Sequence, residues 1–373
     1  MRVKLFYHSL VSDWNHGNAH FLRGIVSEMI RRGYDVEVFE PEGGWSYSNL
    51  VAEHGQQPLR AFEQRFPQLR STRYNLKTID VGRALDGADL TLVHEWNDPE
   101  LVRRIGEHHK NSGSGVLFFH DTHHRSISDP DGMAKYDLRD YDGALVYGAI
   151  LRRIYLDRRL ARRAWTWHEA ADATVFHPPA TAVDKEGDVV WIGNWGDDER
   201  TAEIHDFLIK PVWDLGLRAR VYGVRYPAKA IEALQAAGIE YAGWLPNYEA
   251  PSVFARFRAT VHIPRRPYAT TLPGIPTIRV FEALACGIPL VSAPWKDSER
   301  LFEPGKDFLY ARDGEEMKEQ LQRLMNDPAL ASQLAAHGRQ TILNRHTCAH
   351  RVDQLLQICE EVGNTERAAL TQS

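Results

Sequence analysis

PGIPTIRVFEALACGIPLV, residues Pro273 to Val291, is the stretch whose reading decides the fold. Its Pro-Gly-Ile-Pro lead-in excludes helix. Thr277 to Ala285 is helix-compatible and stops at Cys286-Gly287, and Ile288 to Val291 follows as a short apolar strand. Proline at the entry and glycine just past the end punctuate a helix. The start of such a helix offers unpaired backbone N–H groups and the positive end of its dipole, which suits a phosphate. Glu282 lies a little over one turn in, where its carboxylate can reach the hydroxyls of a sugar beside that phosphate. It is equally placed to face solvent from a buried helix, so the flanking chain must decide.

Working outward, strands alternate with helices. Upstream, Asp188 to Gly193 (DVVWIG) reads as a strand followed by a polar loop to Arg200, then a helix from Thr201 to Leu215 that Pro211 kinks or ends. Leu217 to Gly223 and Ile239 to Gly243 are further strands, the latter closing in Trp244, and Thr260 to Pro264 (TVHIP) leads into the opening stretch. Downstream, Glu315 to Met325, Pro328 to Leu343 and Ala349 to Val362 have helical periodicity, and 363–373 reads as a polar frayed tail.

The first half repeats the pattern. Val3 to His8 is β-prone, Asn18 can cap a helix running to about Arg32, and Tyr34 to Phe39 is the next strand, which makes a βαβ unit. Ligands gather at the carboxyl ends of such strands, so the loop with Gly17 and Asn18 is a candidate for an acceptor or a phosphate. It is neither a GxGxxG fingerprint nor a Walker loop. Residues 41–75 give no clear secondary structure. Ala88 to His94, Gly115 to Phe119 and Asp142 to Tyr147 are buried strands. Gly115 to Phe119 ends in HDTHHR, His120 to Arg125, the strongest polar cluster of this half, where His120 and Asp121 are candidates for an active site; its spacing matches no familiar zinc pattern. Ala149 to Trp165 reads as a basic amphipathic helix, either a solvated outer face or a peripheral contact with an anionic membrane surface. WHEAADATVFHPP, Trp167 to Pro179, reads as the join. The expected organisation is therefore an N-terminal Rossmann-like domain over 1–176, a second over 177–345, and a C-terminal segment 346–373 whose helix packs back on the first domain.

The bulk properties agree with a globular α/β protein. Of 373 residues, 43% are hydrophobic and 25% charged, ordinary for a soluble fold and long for one core. A net charge of −5 gives no nucleic-acid footprint. Cys286, Cys348 and Cys359 are too scattered for a disulfide framework. With neither a signal-peptide pattern nor a membrane span, the expected location is cytoplasmic, with peripheral contact at the inner face of the membrane through 149–165 as the variant.

On FEALACGIPLVSAP, the helical tail from Glu315 to Arg345, the linker ADATVFHPP and the Gly17 loop with its helix into RRGYDVEVF, nearly the whole chain resembles a GT-B glycosyltransferase of the group 1, family 4-like kind, most like its spore-maturation-protein-like branch. The resemblance implies two doubly wound Rossmann-like domains facing a central cleft, an acceptor side in the first and a nucleotide-diphosphate sugar in the second. It implies donor ribose on Glu282, diphosphate at Thr277 and Ile278 with Arg200 and Arg279, base near Trp244 and Leu245, and His120 approaching the donor sugar. Gly274 stands where the family often has a sugar-binding glutamate, and Asn194 where it often has a cation. Catalysis in this frame needs cations and N–H donors preset at the leaving group, without a metal or other cofactor. His120 would polarise the sugar or the acceptor hydroxyl, and Asp121 would fix its tautomer or act as base. The implied activity is metal-independent, retaining transfer from a UDP-sugar to a glycan, lipid-linked or small-molecule acceptor, with no nucleic-acid partner. The alternatives are a degenerate nucleotide-sugar-binding module and another GT-B enzyme such as a sugar-nucleotide epimerase.

Overall fold

The structure, a computed structural model, describes residues 1–113 and 115–370, with side chains through Asn364. The chain divides into two compact units, Met1–Glu169 with the residues from Cys348 onward, and Ala170–Thr347.

In the first unit β1 (Arg2–Phe6), β2 (Asp35–Pro41), β3 (Ser71–Tyr74), β4 (Leu90–His94), β5 (Val116–Asp121), β6 (Gly143–Val146) and β7 (Ala164–Thr166) form one sheet in the order β3-β2-β1-β4-β5-β6-β7. Every pairing is parallel. All residues of β4 and β6 are buried, as expected when helices cover both faces. The order reverses between β1 and β4, and the loops leaving those two strands diverge to opposite faces. That divergence opens a crevice at their carboxyl ends.

The second unit repeats the plan with β8 (Gly187–Ile192), β9 (Ala219–Tyr222), β10 (Glu240–Tyr241), β11 (Phe257–His262), β12 (Leu290–Ser292) and β13 (Leu309–Tyr310), ordered β10-β9-β8-β11-β12-β13. Here the reversal lies between β8 and β11. Val189, Trp191, Val221, Val261 and Leu321 belong to its core. The GT-B description by two parallel, doubly wound sheets therefore holds.

Several local expectations change. The helix before Pro211 is α-helical over Thr201–Ile204, passes through a π-helical turn His205–Ile209 and resumes as Lys210–Leu215; the wide turn accommodates a proline ring that clashes with the carbonyl four residues back. The basic helix is shorter than expected, Ala149–Asp157, because Arg159 takes a positive φ and the chain turns into the edge strand β7. Three arginines of the stretch expected to be helical are committed within the unit: Arg152, Arg158 and Arg163 donate to the carbonyls of Ala164, Ser126 and Asp142. Residues 41–75 contain two helices, Trp45–His54 and Gln57–Arg65, before β3.

The division between units falls at Glu169, a little before the expected boundary. Ala171 bonds back to His346 and bridges Thr347, which draws the ADATVF segment into the second unit. The last helix, Cys348–Leu370, packs on the helix Ala19–Arg31 of the first unit. Arg32 pairs with Asp353, the Trp167 indole donates to the Arg351 carbonyl, and Arg351 donates to the His168 carbonyl. This helix runs beyond the Val362 end expected for it; residues 371–373 of the expected tail lie outside the described residues. Among the described residues no helix is long and apolar enough to cross a membrane.

Candidate active site

In the second unit the polar residues collect at the carboxyl ends of β8 and β11 and at the start of the helix Ile278–Ala285. Thr277 occupies the N-cap but does not cap with its side chain. Its hydroxyl instead meets His262 Nε2 at 3.2 Å, while His262 Nδ1 meets the Ser292 hydroxyl at 2.8 Å. The Val280 N–H returns to the Thr277 carbonyl at 3.0 Å, which leaves the Ile278 and Arg279 N–H groups as the outward donors of the first turn. Burial, then the nearby Arg200 charge, lowers His262 to about 3, so its imidazole is neutral.

Arg200 folds back under its own loop. It donates to the carbonyls of Ile263 (2.9 Å), Trp195 (3.4 Å) and Asn194, with its guanidinium carbon 5.1 Å above the Trp191 ring. Gly196 makes this possible: its φ is +86°, and a Cβ there would sit 2.8 Å from Arg200 Nε. Burial, followed by the charge of Arg265 and that of Arg279, pulls Arg200 down to about 9. It remains a cation, and no carboxylate stands at ion-pair distance from it among the described residues. Its neighbours are themselves paired, Arg265 with Glu199 at 2.7 Å and Arg279 with Glu282.

Glu282 and Arg279 depart from the simplest expectation. The Glu282 carboxyl is wholly buried and accepts from Asn247 Nδ2 at 2.8 Å and from Arg279 Nη1. Arg279 is therefore the counterion of Glu282, three residues apart on one helix face, and not a dedicated phosphate cation. Asn247 ties the segment following Trp244 and Leu245, both half-buried, to Glu282. Gly274 has φ +95°, and a Cβ there would lie 2.7 Å from Ser298 Oγ and 2.8 Å from Glu299 Oε1. The backbone conformation and these neighbours account for glycine at that position.

In the first unit the loop after β1 is held rigidly. The buried Arg23 donates to the carbonyls of Leu10 (2.7 Å) and Val11 (2.9 Å) and to Asp13 Oδ2 (2.9 Å). Gly17 lies in the turn before the helix; Asn18 is the N-cap by position only, since its amide reaches Thr122 Oγ1 at 2.7 Å and makes no cap bond.

His120 is wholly buried, with ring centroids 4.9 Å from Trp167, 6.1 Å from Phe21 and 5.2 Å from His94. His94 and His120 are register partners on β4 and β5, so their rings share a face. Neither nitrogen of His120 has a hydrogen-bond partner, and burial lowers it to about 3. Asp121 does not orient it. Adjacent residues on a strand point to opposite faces, and Asp121 accepts instead from the Tyr155 hydroxyl (2.6 Å) and the His123 N–H (2.9 Å). The expected tautomer-fixing role of Asp121 is thereby corrected.

Its true partner is Glu95, also wholly buried, whose Oε1 accepts from the Thr122 N–H at 3.0 Å. Burial, and then the Asp121 charge, raises the Glu95 carboxyl well above the carboxylate range; burial also raises Asp121. Glu95 is thus the protonated member of the two, its Oε2 buried without a hydrogen-bond partner, and the pair holds one proton.

Sequence reasoning missed Glu95, the packed His8–His94 pair (ring centroids 4.6 Å apart, both kept neutral by burial), His262, Arg265 and Asn247. His262 was within reach, as the last residue of TVH at a strand end, and so were the two arginines that follow Pro264. Among the described residues no group of three or more His, Cys, Asp or Glu side chains has an arrangement able to hold a metal ion.

Residues 200–357 match the glycosyl transferase-like family model. Among solved structures, sucrose-phosphate synthase from Thermosynechococcus elongatus is similar with a TM-score of 0.64 at 14% identity, covering 100% of each chain. Anabaena HepE, solved with UDP, gives 0.67 at 12% identity over 97% of this chain and 100% of its own. TarM of S. aureus, solved with fondaparinux, alpha-GlcNAc-glycerol and UDP, gives 0.67 at 10% identity over 96% and 99%. At such identities the likeness is one of fold. No curated protein matches the sequence.

Proposed function

We propose, from the premise that this chain is a glycosyltransferase of the GT-B fold, that it moves a sugar from a uridine-diphosphate donor to an acceptor hydroxyl without a metal and with retention of anomeric configuration. One observation carries the reading: among the described residues the Arg200 guanidinium has no carboxylate at ion-pair distance, and it is lowered to about 9 first by burial and then by the Arg265 charge. A cation held in that state is stabilised by an anion. It stands with a helix start that keeps the Ile278 and Arg279 N–H groups as donors, inside the region that matches the family.

Departure of the donor's diphosphate develops negative charge on its bridging oxygen. Arg200 and the backbone at Thr277 and Ile278 neutralise that charge from fixed positions, with Arg265 nearby on Glu199. Glu282 accepts from the ribose hydroxyls, which displace Arg279 and release its guanidinium to the phosphates. Trp244 and Leu245 flank the base, and the chain at Gly274 adjoins the sugar. HepE was solved with UDP and with UDP-glucose, which favours uridine. Retention rests on the likeness of the Pro273–Val291 motif to a retaining family. His120 serves as a neutral hydrogen-bonding group toward the sugar or the acceptor; a group at about 3 is a weak base at neutral pH. The Gly17–Asn18 loop belongs to the acceptor side.

Titration calorimetry with UDP tests the reading. Arg200→Ala should weaken UDP by roughly 10- to 100-fold, the worth of charge-assisted hydrogen bonds; unchanged affinity removes the phosphate assignment. Transfer should persist in excess EDTA, and proton NMR of the product should show the donor's anomeric configuration. The complete burial of His120 favours a second reading, a nucleotide-sugar binder without transfer. Donor hydrolysis decides it: turnover by wild type that collapses in His120→Ala, with UDP binding intact, supports the enzyme.

A further inference from the structure

We infer that the first unit carries a saccharide platform, in which the indoles of Trp45 and Trp96, both neighbours of His16, receive a neutral sugar ring of the acceptor. The inference rests on the transferase reading and names the chemical class of its acceptor. Among the described residues five large hydrophobic side chains are exposed, and two of them are Trp45 (51%) and Trp96 (39%). Their ring centroids lie 6.1 Å and 6.3 Å from that of His16, at the sheet's crevice between β1 and β4. Each indole is backed on one side, Trp45 by the buried Trp14 and Trp96 by His8 and His123, and part-exposed indoles contribute flat apolar faces at low conformational cost.

The polar groups between them are uncharged. His16 meets His8 at 3.3 Å between ring nitrogens, and burial keeps both imidazoles neutral near pH 7. A neutral imidazole offers one donor and one acceptor, the complement of a hydroxyl, which does both. His8 is nine-tenths buried and its Nδ1 has no partner, a group that a ligand or water must satisfy. The cation beside Trp96 is already engaged: Arg125 lies 4.8 Å over the Trp96 ring and bonds Asp129 at 3.2 Å. An anionic acceptor would find no unengaged charge here, and an acyl chain would leave the imidazoles unsatisfied. The platform is also preformed. Trp14, 5.0 Å from Trp45, donates to Glu53, and the Ser46 hydroxyl joins this helix to Ser12 and to the Trp14 carbonyl. Rigid aromatic surfaces bind with less ordering cost.

The test titrates the full-length protein with maltotriose, cellotriose and diacetylchitobiose, reading tryptophan fluorescence and saturation-transfer NMR. Trp45→Ala, Trp96→Ala and the double variant are compared, and UDP heat is measured separately. At least one saccharide should saturate with millimolar affinity, each single variant should weaken it by about tenfold, and UDP affinity should stay unchanged in all three. Should Trp96→Ala fail to fold by circular dichroism, the more exposed Trp45→Ala carries the comparison. No saccharide signal with wild type up to about 50 mM, or equal binding by the variants, overturns the platform. So does binding to anionic vesicles or single-stranded DNA that the variants abolish in place of saccharide binding. Absence of UDP heat in wild type counts against the transferase reading alone, because the saccharide arm is read without nucleotide.

Discussion

Mild acid should unfold the first unit, and the histidines at its strand ends set the size of the effect. His120 falls to about 3 from a usual 6.5 because burial disfavours its charged form, and His8 and His94 are lowered for the same first reason. A group whose folded value is depressed leaves stability intact above its unfolded value and loses it as pH falls toward the folded value. Each such histidine costs about 1.4 kcal/mol per pH unit below 6.5, so about 2 kcal/mol at pH 5. Three of the same sign reach about 6 kcal/mol, within the whole stability of a typical domain. The carboxyl pair opposes this, since Glu95 and Asp121 are raised and gain as pH falls, but it contributes a single shared proton.

Thermal melts from pH 8 to pH 5 should therefore show a midpoint that drops steeply once below pH 6.5. His120→Phe, which remains neutral beside Phe21 and Trp167, should drop less steeply, by about one proton's slope, or 1.4 kcal/mol per unit; His120→Gln serves where phenylalanine overpacks. Parallel curves for wild type and variant would falsify the assignment, because His120 would then take its proton as easily folded as unfolded.

The remaining predictions concern neighbouring groups. Glu282→Ala strands the Arg279 guanidinium and the Asn247 amide in a buried site, and should cost about 3 kcal/mol in chemical denaturation besides weakening UDP in calorimetry; a change below about 1 kcal/mol would show that Arg279 relocates to solvent at no cost. Glu95→Gln keeps the shape and removes the ionisation. Because raised carboxyl groups lose stability as pH climbs above their unfolded value, wild-type melting temperature should decline toward pH 9 while the variant's declines less, and identical profiles would rule out the shared proton. Gly274→Ala should lose about 1–2 kcal/mol by urea titration, from its φ of +95° and the atoms 2.7 Å and 2.8 Å from the new Cβ; a neutral result would mean the loop relaxes freely.

The alternation of strand and helix was legible because parallel strands buried on both faces are continuous apolar runs: ADLTLVH and DVVWIG announce themselves. β3 and β7 did not, since STRY and AWT are short, flanked by arginine and placed at sheet edges where one neighbour suffices. The opening motif was legible at its helix and N-cap, and Glu282 was correctly put inside that helix. That Glu282 is locked to Arg279 and Asn247 depends on a residue 35 positions away, which local pattern does not reach. Asp121 is a different failure. The two-residue period of a strand already separates it from His120, and the cluster HDTHH was read as one group when it is two faces. Its partnership with Glu95, across from the neighbouring strand, needed the register of β4 against β5.

The last helix has a consequence for how this chain can be taken apart. Residues before Ala170 and after Thr347 belong to one unit, so the polypeptide leaves it and later returns. A single backbone cut at either crossing therefore frees neither unit. A chain shortened to end at Thr347 loses the strip whose Arg351 carbonyl receives the Trp167 indole, and Trp167 is the ring packed closest against His120. Separation of the first unit as a folded piece requires Glu169 to be joined directly to Cys348, or the helix to be supplied as a second fragment that docks on its partner.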